Sequence, residues 1–192
     1  KAEINALAPE DQLVWQQLAN TSQFWQYIAR VKLAIAEKDF SSAQKQLELA
    51  DKLNESKVTV LIYTAQLHFA KGSVNDAQKI YQKIISEDEL NSEALNGLLD
   101  IIVLNQSLDS LTSFTRSLSK SQYQLIEQRV IDETSTLLRS KADDLSYRGE
   151  LAEAIDTLEK AILLSPDEPW LHYDLAKIYL KMGNTPQAKT IF

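Results

Sequence analysis

The chain has 192 residues, 44% of them hydrophobic and 24% charged, which is enough apolar content for a packed core. Its net charge of −7 argues against nucleic acid or an anionic membrane surface as a partner, since either demands clustered Lys and Arg. It contains no cysteine, so it has no disulfide framework, thiolate zinc site or cysteine nucleophile, and the absence suits the cytosol and an oxidising compartment equally. No apolar run approaches the roughly 18–20 residues of a membrane span. With 4 Gly and 4 Pro, and with Ala, Leu, Gln, Lys and Glu abundant, regular helix should dominate. The first residue is Lys1 rather than Met, so a missing signal peptide carries no information.

In chain order, residues Lys1 to Pro9 read as the tail of a preceding helical unit. From Phe24 to Asn54 a helix pair is expected, the second helix carrying Phe40, Ala43, Leu47 and Ala50. Val31 stands in its first helix where a smaller residue is expected. Val58 to Glu89 form a clearer pair. Leu61, Ala65, Leu67 and His68 make the inward face of its first helix, Gly72 ends that helix, and Ala77, Ile80, Tyr81, Ile84 and Ile85 continue the second. A third pair is degenerate: Ala94, Leu95, Leu98, Leu99 and Ile102 are followed by Leu108, Leu111, Phe114 and Leu118, with Leu111 in an alanine position. A fourth pair carries Ala142, Gly149, Leu151, Ala154, Leu158, Ala161 and Pro166. A fifth carries Leu175, Ala176, Tyr179, Gly183, Thr185 and Ala188, and stops at Phe192 halfway through its second helix, as a segment cut from a longer array would.

These pairs share a period. Ala43 and Ala77 stand 34 residues apart, as do Ala154 and Ala188. A period of 34 is the length of one tetratricopeptide repeat, a helix–turn–helix unit that stacks into a solenoid. The fold class expected is therefore all-α, a right-handed tetratricopeptide-repeat α-solenoid. Ala43, Ala65, Ala77, Ala142, Ala154, Ala176 and Ala188 are the small residues expected where paired helices cross, because a larger side chain would push the axes apart.

Between Ala77 and Ala154 the count is 77 residues, two periods plus nine. The surplus falls between Ser117 and Leu138. Ser119 or Ser121 can cap a new helix there, and Leu125, Ile126, Val130, Ile131, Leu137 and Leu138 continue an apolar stripe. Two readings are open: a first helix lengthened by nine residues, roughly 13 Å, or a short separate helix packed under the array. A lengthened helix cannot stay in register with its neighbour, so the superhelix is expected to bend there. The organisation expected is an N-terminal repeat block at 1–118, a helical insertion or hinge at 119–134, and a C-terminal block at 135–192.

The stretch Phe114 to Phe192 is similar to the periplasmic repeat region of the bacterial cellulose synthase operon protein C family. The run Ser117-Leu118-Ser119-Lys120-Ser121-Gln122 with the following Ile126 carries the resemblance, as do Gly149 through Pro166 and Trp170-Leu171-His172-Tyr173 through Ala188. Trp15, Trp25 and the rhythm after them fit more loosely. The resemblance implies a long periplasmic repeat array followed by an outer-membrane β-barrel. It also implies that the array guides the nascent glucan and contacts the synthase complex or the cell wall. This chain has no barrel segment, so secretion itself is not assigned to it.

For a site, the aromatic residues are most informative. Trp170, Tyr173, Lys177 and Lys181 share the side of one first helix that faces away from Leu175 and Ala176. Trp25 holds the same repeat position as Trp170, and the matching side of the fourth pair carries Arg139, Asp143 and Tyr147. Aromatic rings stack on pyranose C–H faces and polar side chains satisfy hydroxyls, which suits a neutral sugar chain. The alternative is that both tryptophans pack between adjacent repeats.

His68 and His172 read as packing histidines on buried faces, without partners at metal-ligand spacing. Neither a metal nor any other cofactor is expected. Glu87-Asp88-Glu89, Asp143-Asp144 and Asp167-Glu168 read as solvated surface and helix-end charge rather than a glycosidase pair. No phosphate loop or hydrolase motif is present. The functional expectation is a non-catalytic scaffold for polysaccharide export. A generic peptide-binding adaptor or co-chaperone module is the alternative, although Ile28 with Lys32 and Ile62 with Gln66 do not form the carboxylate clamp of that class.

Overall fold

In a computed structural model, residues 8–191 are described, and all regular structure among them is helical. The Lys1–Pro9 tail therefore lies almost wholly outside the described residues. Ten helices follow in order: α1 Pro9–Ala36, α2 Phe40–Asp51, α3 Lys57–Ala70, α4 Val74–Glu87, α5 Ser92–Val103, α6 Leu108–Ser117, α7 Lys120–Arg148, α8 Leu151–Leu164, α9 Pro169–Lys181 and α10 Thr185–Ile191. Packing divides the chain into two units, Lys1–Ile101 and Ile102–Phe192.

The helix ends follow local chemistry. Asp39, Ser56, Ser107 and Ser119 each accept a hydrogen bond from a backbone N–H in the first turn of α2, α3, α6 and α7. At the end of α3, Gly72 takes φ +83°, and the Ser73 amide reaches back to the His68 carbonyl at 2.9 Å. Gly149 does the same for α7 at φ +85°. Lys38 holds the corresponding position after α1 at φ +60°, a left-handed conformation that costs an L-residue about 1–2 kcal/mol.

In the first unit, α1 packs on α2 and α3 on α4. One cluster joins Phe24, Ile28, Val31, Ala43, Leu47, Ala50, Tyr63 and Leu67. A second joins Ile62, Ala65, Ala77, Tyr81, Ile84, Ala94 and Ile101. Val31 is 0% exposed, so α1 accommodates the larger residue at full burial. Tyr81 packs so closely on α5 that a Cβ placed on Gly97 would lie 2.2 Å from its ring. Burial pushes the Tyr81 hydroxyl up to about 12, and the nearby Asp100 charge adds to the shift.

In the second unit, α7 pairs with α8 and α9 with α10, around Ala142, Leu145, Ala154, Leu158, Ala161, Leu171 and Leu175. All seven crossing alanines are at most 1% exposed. The nine surplus residues form no separate helix: α7 runs unbroken for 29 residues, about 43 Å. Its start is fixed by a reciprocal pair of bonds, Ser119 Oγ accepting from the Gln122 amide and Gln122 Oε1 from the Ser119 amide. The N-terminal half of α7 buries Ile126 and Val130, and α6, with Leu111 buried, packs against the helix.

Candidate functional site

In the second unit, α7 and α9 meet through charged and aromatic side chains. Arg139 of α7 points at α9, where its Nε donates to Asp174 Oδ2 at 2.6 Å. On the other side of the same carboxylate, Lys177 Nζ lies 3.8 Å from Oδ1. The Arg139 guanidinium also sits 5.9 Å from the centre of the Trp170 indole, and Lys177 sits 5.7 Å from the Tyr173 ring. The two rings meet edge to face, with centroids 5.9 Å apart. Further along, Lys181 Nζ donates to the Ser146 carbonyl. Arg139 and Asp174 therefore form a strut that sets the facing sides of two helices. Both are partly solvated, so the ion pair contributes no more than about 1 kcal/mol to stability. Its effect is positional.

Two depressions meet at Arg139. A small cleft of about 60 Å³ runs toward Asp143, Ser146 and Lys181. A larger groove of about 600 Å³ runs the other way, along the lengthened part of α7 and under the α8–α9 loop. Gln128, Asp132, Thr136 and Arg139 line one wall, and Asp167 and Glu168 line the other. Its floor is closed by a hydroxyl pair, Ser135 Oγ and Ser165 Oγ at 2.8 Å. His172 Nε2 hydrogen-bonds the Pro166 carbonyl at 2.8 Å, so that nitrogen carries the proton and holds the loop.

The expected site residues separate accordingly. Arg139, Trp170, Tyr173 and Lys177 form one cluster, and Lys181 extends it. Tyr147 stands apart at 90% exposed; like Trp170 and Tyr173, it lines neither depression. Trp25 belongs to the first unit, where its indole meets Phe24 edge to face at 5.3 Å. Trp25 is 54% and Trp170 58% exposed, so neither indole is enclosed between repeats among the described residues. The histidines are half-buried rather than enclosed, because each lies at the rim of its helix's packed face. Asp174, the centre of the cluster, is absent from the residues that spacing alone singles out. A signal for it exists in the chain: it follows Trp170 by four, precedes Lys177 by three, and lies about one repeat beyond Arg139. Among the described residues no group of three or more His, Cys, Asp or Glu is placed to hold a metal ion. No helix among them is long and apolar enough to cross a membrane.

Paired helices with small residues at their crossings, recurring every 34 residues, define an α-solenoid of the tetratricopeptide type. In agreement, residues 142–183 match the family described as the TPR repeat. Two curated relatives are both described as cellulose synthase operon protein C. The protein of Pseudomonas fluorescens (strain SBW25) is 23% identical over 178 residues, and that of Xanthomonas axonopodis pv. citri (strain 306) is 24% identical over 178 residues. Each match takes in 92% of this chain but only 14% and 12% of the relative, so the chain spans about an eighth of their length. Among solved structures, pilF of Pseudomonas aeruginosa superposes with a TM-score of 0.54 at 15% identity, over 90% of this chain and 75% of that one. That likeness concerns the fold alone.

Proposed function

We propose that this chain is a non-catalytic scaffold segment in bacterial cellulose or related exopolysaccharide biosynthesis and export, working in the periplasm. Its partners on this reading are components of the synthase complex or of the cell wall, with the exposed Trp170–Tyr173 side of α9 touching the neutral glucan. The similarity to the two cellulose synthase operon proteins along 92% of the chain motivates the biological setting. The observation that carries the glycan contact is the half-exposed Trp170–Tyr173 pair beside a fixed Arg139–Asp174–Lys177 array. An aromatic platform supplies stacking, and fixed donors and acceptors next to it suit sugar hydroxyls.

The test is an amide-shift titration with soluble cello-oligosaccharides. Weak binding should move Trp170, its indole N–H and Tyr173, and Trp170→Ala should abolish the response. No shift at either residue up to millimolar sugar refutes the glycan contact. Capture of synthase components by the same chain then decides between an export scaffold and a peptide-binding adaptor.

A further inference from the structure

A second, longer period runs through the molecule. Ala43, Ala65 and Ala77 stand 111 residues before Ala154, Ala176 and Ala188, and Leu47 and Ala50 stand 111 before Leu158 and Ala161. The structure repeats at the same interval. Helices α1, α2 and α4 begin at Pro9, Phe40 and Val74, and α7, α8 and α10 begin at Lys120, Leu151 and Thr185. The left-handed residues Lys38 and Gly72 recur as Gly149 and Gly183. The 28-residue α1 and the 29-residue α7 are thus the same element: the lengthened first helix of a three-hairpin module.

The two long helices differ in what covers them. On α7 the N-terminal half is packed by α6, and Ile126 and Val130 are 2% and 5% exposed. On α1 the equivalent positions are Trp15 and Ala19, and the same stretch leaves Leu13, Val14, Trp15 and Leu18 between 50% and 62% exposed. An indole held in water where the counterpart helix buries an isoleucine is an unfilled packing position. In the 111-residue register, residues 1–7 coincide with 112–118, the second half of α6 and its following residue, and Leu7 coincides with Leu118.

We propose that the N-terminal half of α1 is the seat of an amphipathic helix of the α6 kind, which closes a preceding module of the same protein. Trp15 is the residue that helix covers. The protein is then built from 111-residue modules, each long first helix docking against the last helix of the module before it. The named relatives are several times longer than this chain and have room for such modules. The precedent for the contact is α6 against α7 in this molecule.

The experiment places a second copy of residues 92–111 directly ahead of Lys1, which preserves the register. Amides 12–22 are then followed by hydrogen exchange, together with the Trp15 emission against a Trp15→Phe control. The expected result is exchange slowed by about tenfold or more at these amides, with a blue-shifted Trp15. Leu111→Asp in the added copy alone should reverse both effects. Unchanged exchange and emission overturn the proposal. A second variant does not depend on the added segment folding: residues 120–133 are replaced by residues 9–22, under the native α6. The indole then at position 126 should be buried and α6 retained. A solvent-exposed indole, or loss of α6 protection, overturns the proposal equally.

Discussion

Gly97→Ala isolates the tightest contact in the first unit. Alanine is the better helix former, so in an exposed helix the change would stabilise by about 1 kcal/mol. Here the new Cβ would lie 2.2, 2.5 and 2.6 Å from three atoms of the Tyr81 ring. Carbon atoms rest at about 3.5–4.0 Å, so the ring must retreat by more than about 1 Å. Tyr81 is 3% exposed and packed among Ile62, Ala77, Ile84 and Ala94, so the ring moves only by displacing them or by leaving the core. Overpacking of this kind costs about 1–3 kcal/mol, and expelling the ring instead forfeits about 1.5–3 kcal/mol of burial. Either route outweighs or at least cancels the propensity gain, and a net loss of roughly 1–2 kcal/mol is expected. Denaturant unfolding followed by near-ultraviolet dichroism of the tyrosines measures it. The loss should shrink in a Tyr81→Leu background, with a coupling energy of about 1 kcal/mol or more. If Gly97→Ala is as stable as the parent or more so, and shows no coupling to position 81, the close-approach argument is wrong.

The other expectations are more local. Ser119→Ala removes one arm of the reciprocal cap and should cost about 0.5–2 kcal/mol, with faster amide exchange confined to the first turn of α7. Arg139→Lys keeps the charge but loses the planar fork and its stacking. Global stability should change by less than about 1 kcal/mol, whereas Trp170 emission and any cello-oligosaccharide response should change clearly. Tyr81 has an ordinary value of 10.0 and is raised to about 12 in the folded chain. The neutral phenol is therefore the form the fold favours. Its contribution is fully present below pH 10 and is lost as pH rises through 12, a fall of roughly 2–3 kcal/mol. Tyr81→Phe should remove that alkaline slope from denaturant midpoints, and an unchanged slope would refute the assignment.

Much of the architecture is legible in the chain itself. Period and small-residue spacing are properties of a helix that must meet its partner at a fixed crossing, so the seven alanines reveal the hairpins without coordinates. The caps at Ser119 and Gly72 are equally local, since each satisfies orphan backbone groups within a few residues. The slip of nine residues is countable, but whether it makes one helix or two is not. In the folded chain α7 is continuous, buries Ile126 and Val130 and packs against α6, whereas a separate short helix carries the same local signals.

The site divides along the same line. Trp170, Tyr173 and Lys177 follow from spacing on one helix face. Asp174 gains its role only when α7 brings Arg139 within 2.6 Å of it. Tyr147 satisfies the same spacing rule and still projects into solvent, 90% exposed. The groove depends on residues that make no motif. Ser135, Thr136 and Arg139 stand 111 residues after Phe24, Trp25 and Ile28, and the small Ser135 leaves open a position that Phe24 fills in the first unit. Helical period and capping are set by neighbours along the chain, so the sequence by itself determined them. Which side chains meet, which stand free and where a groove opens are set by distances between helices, and those the tertiary structure alone decided.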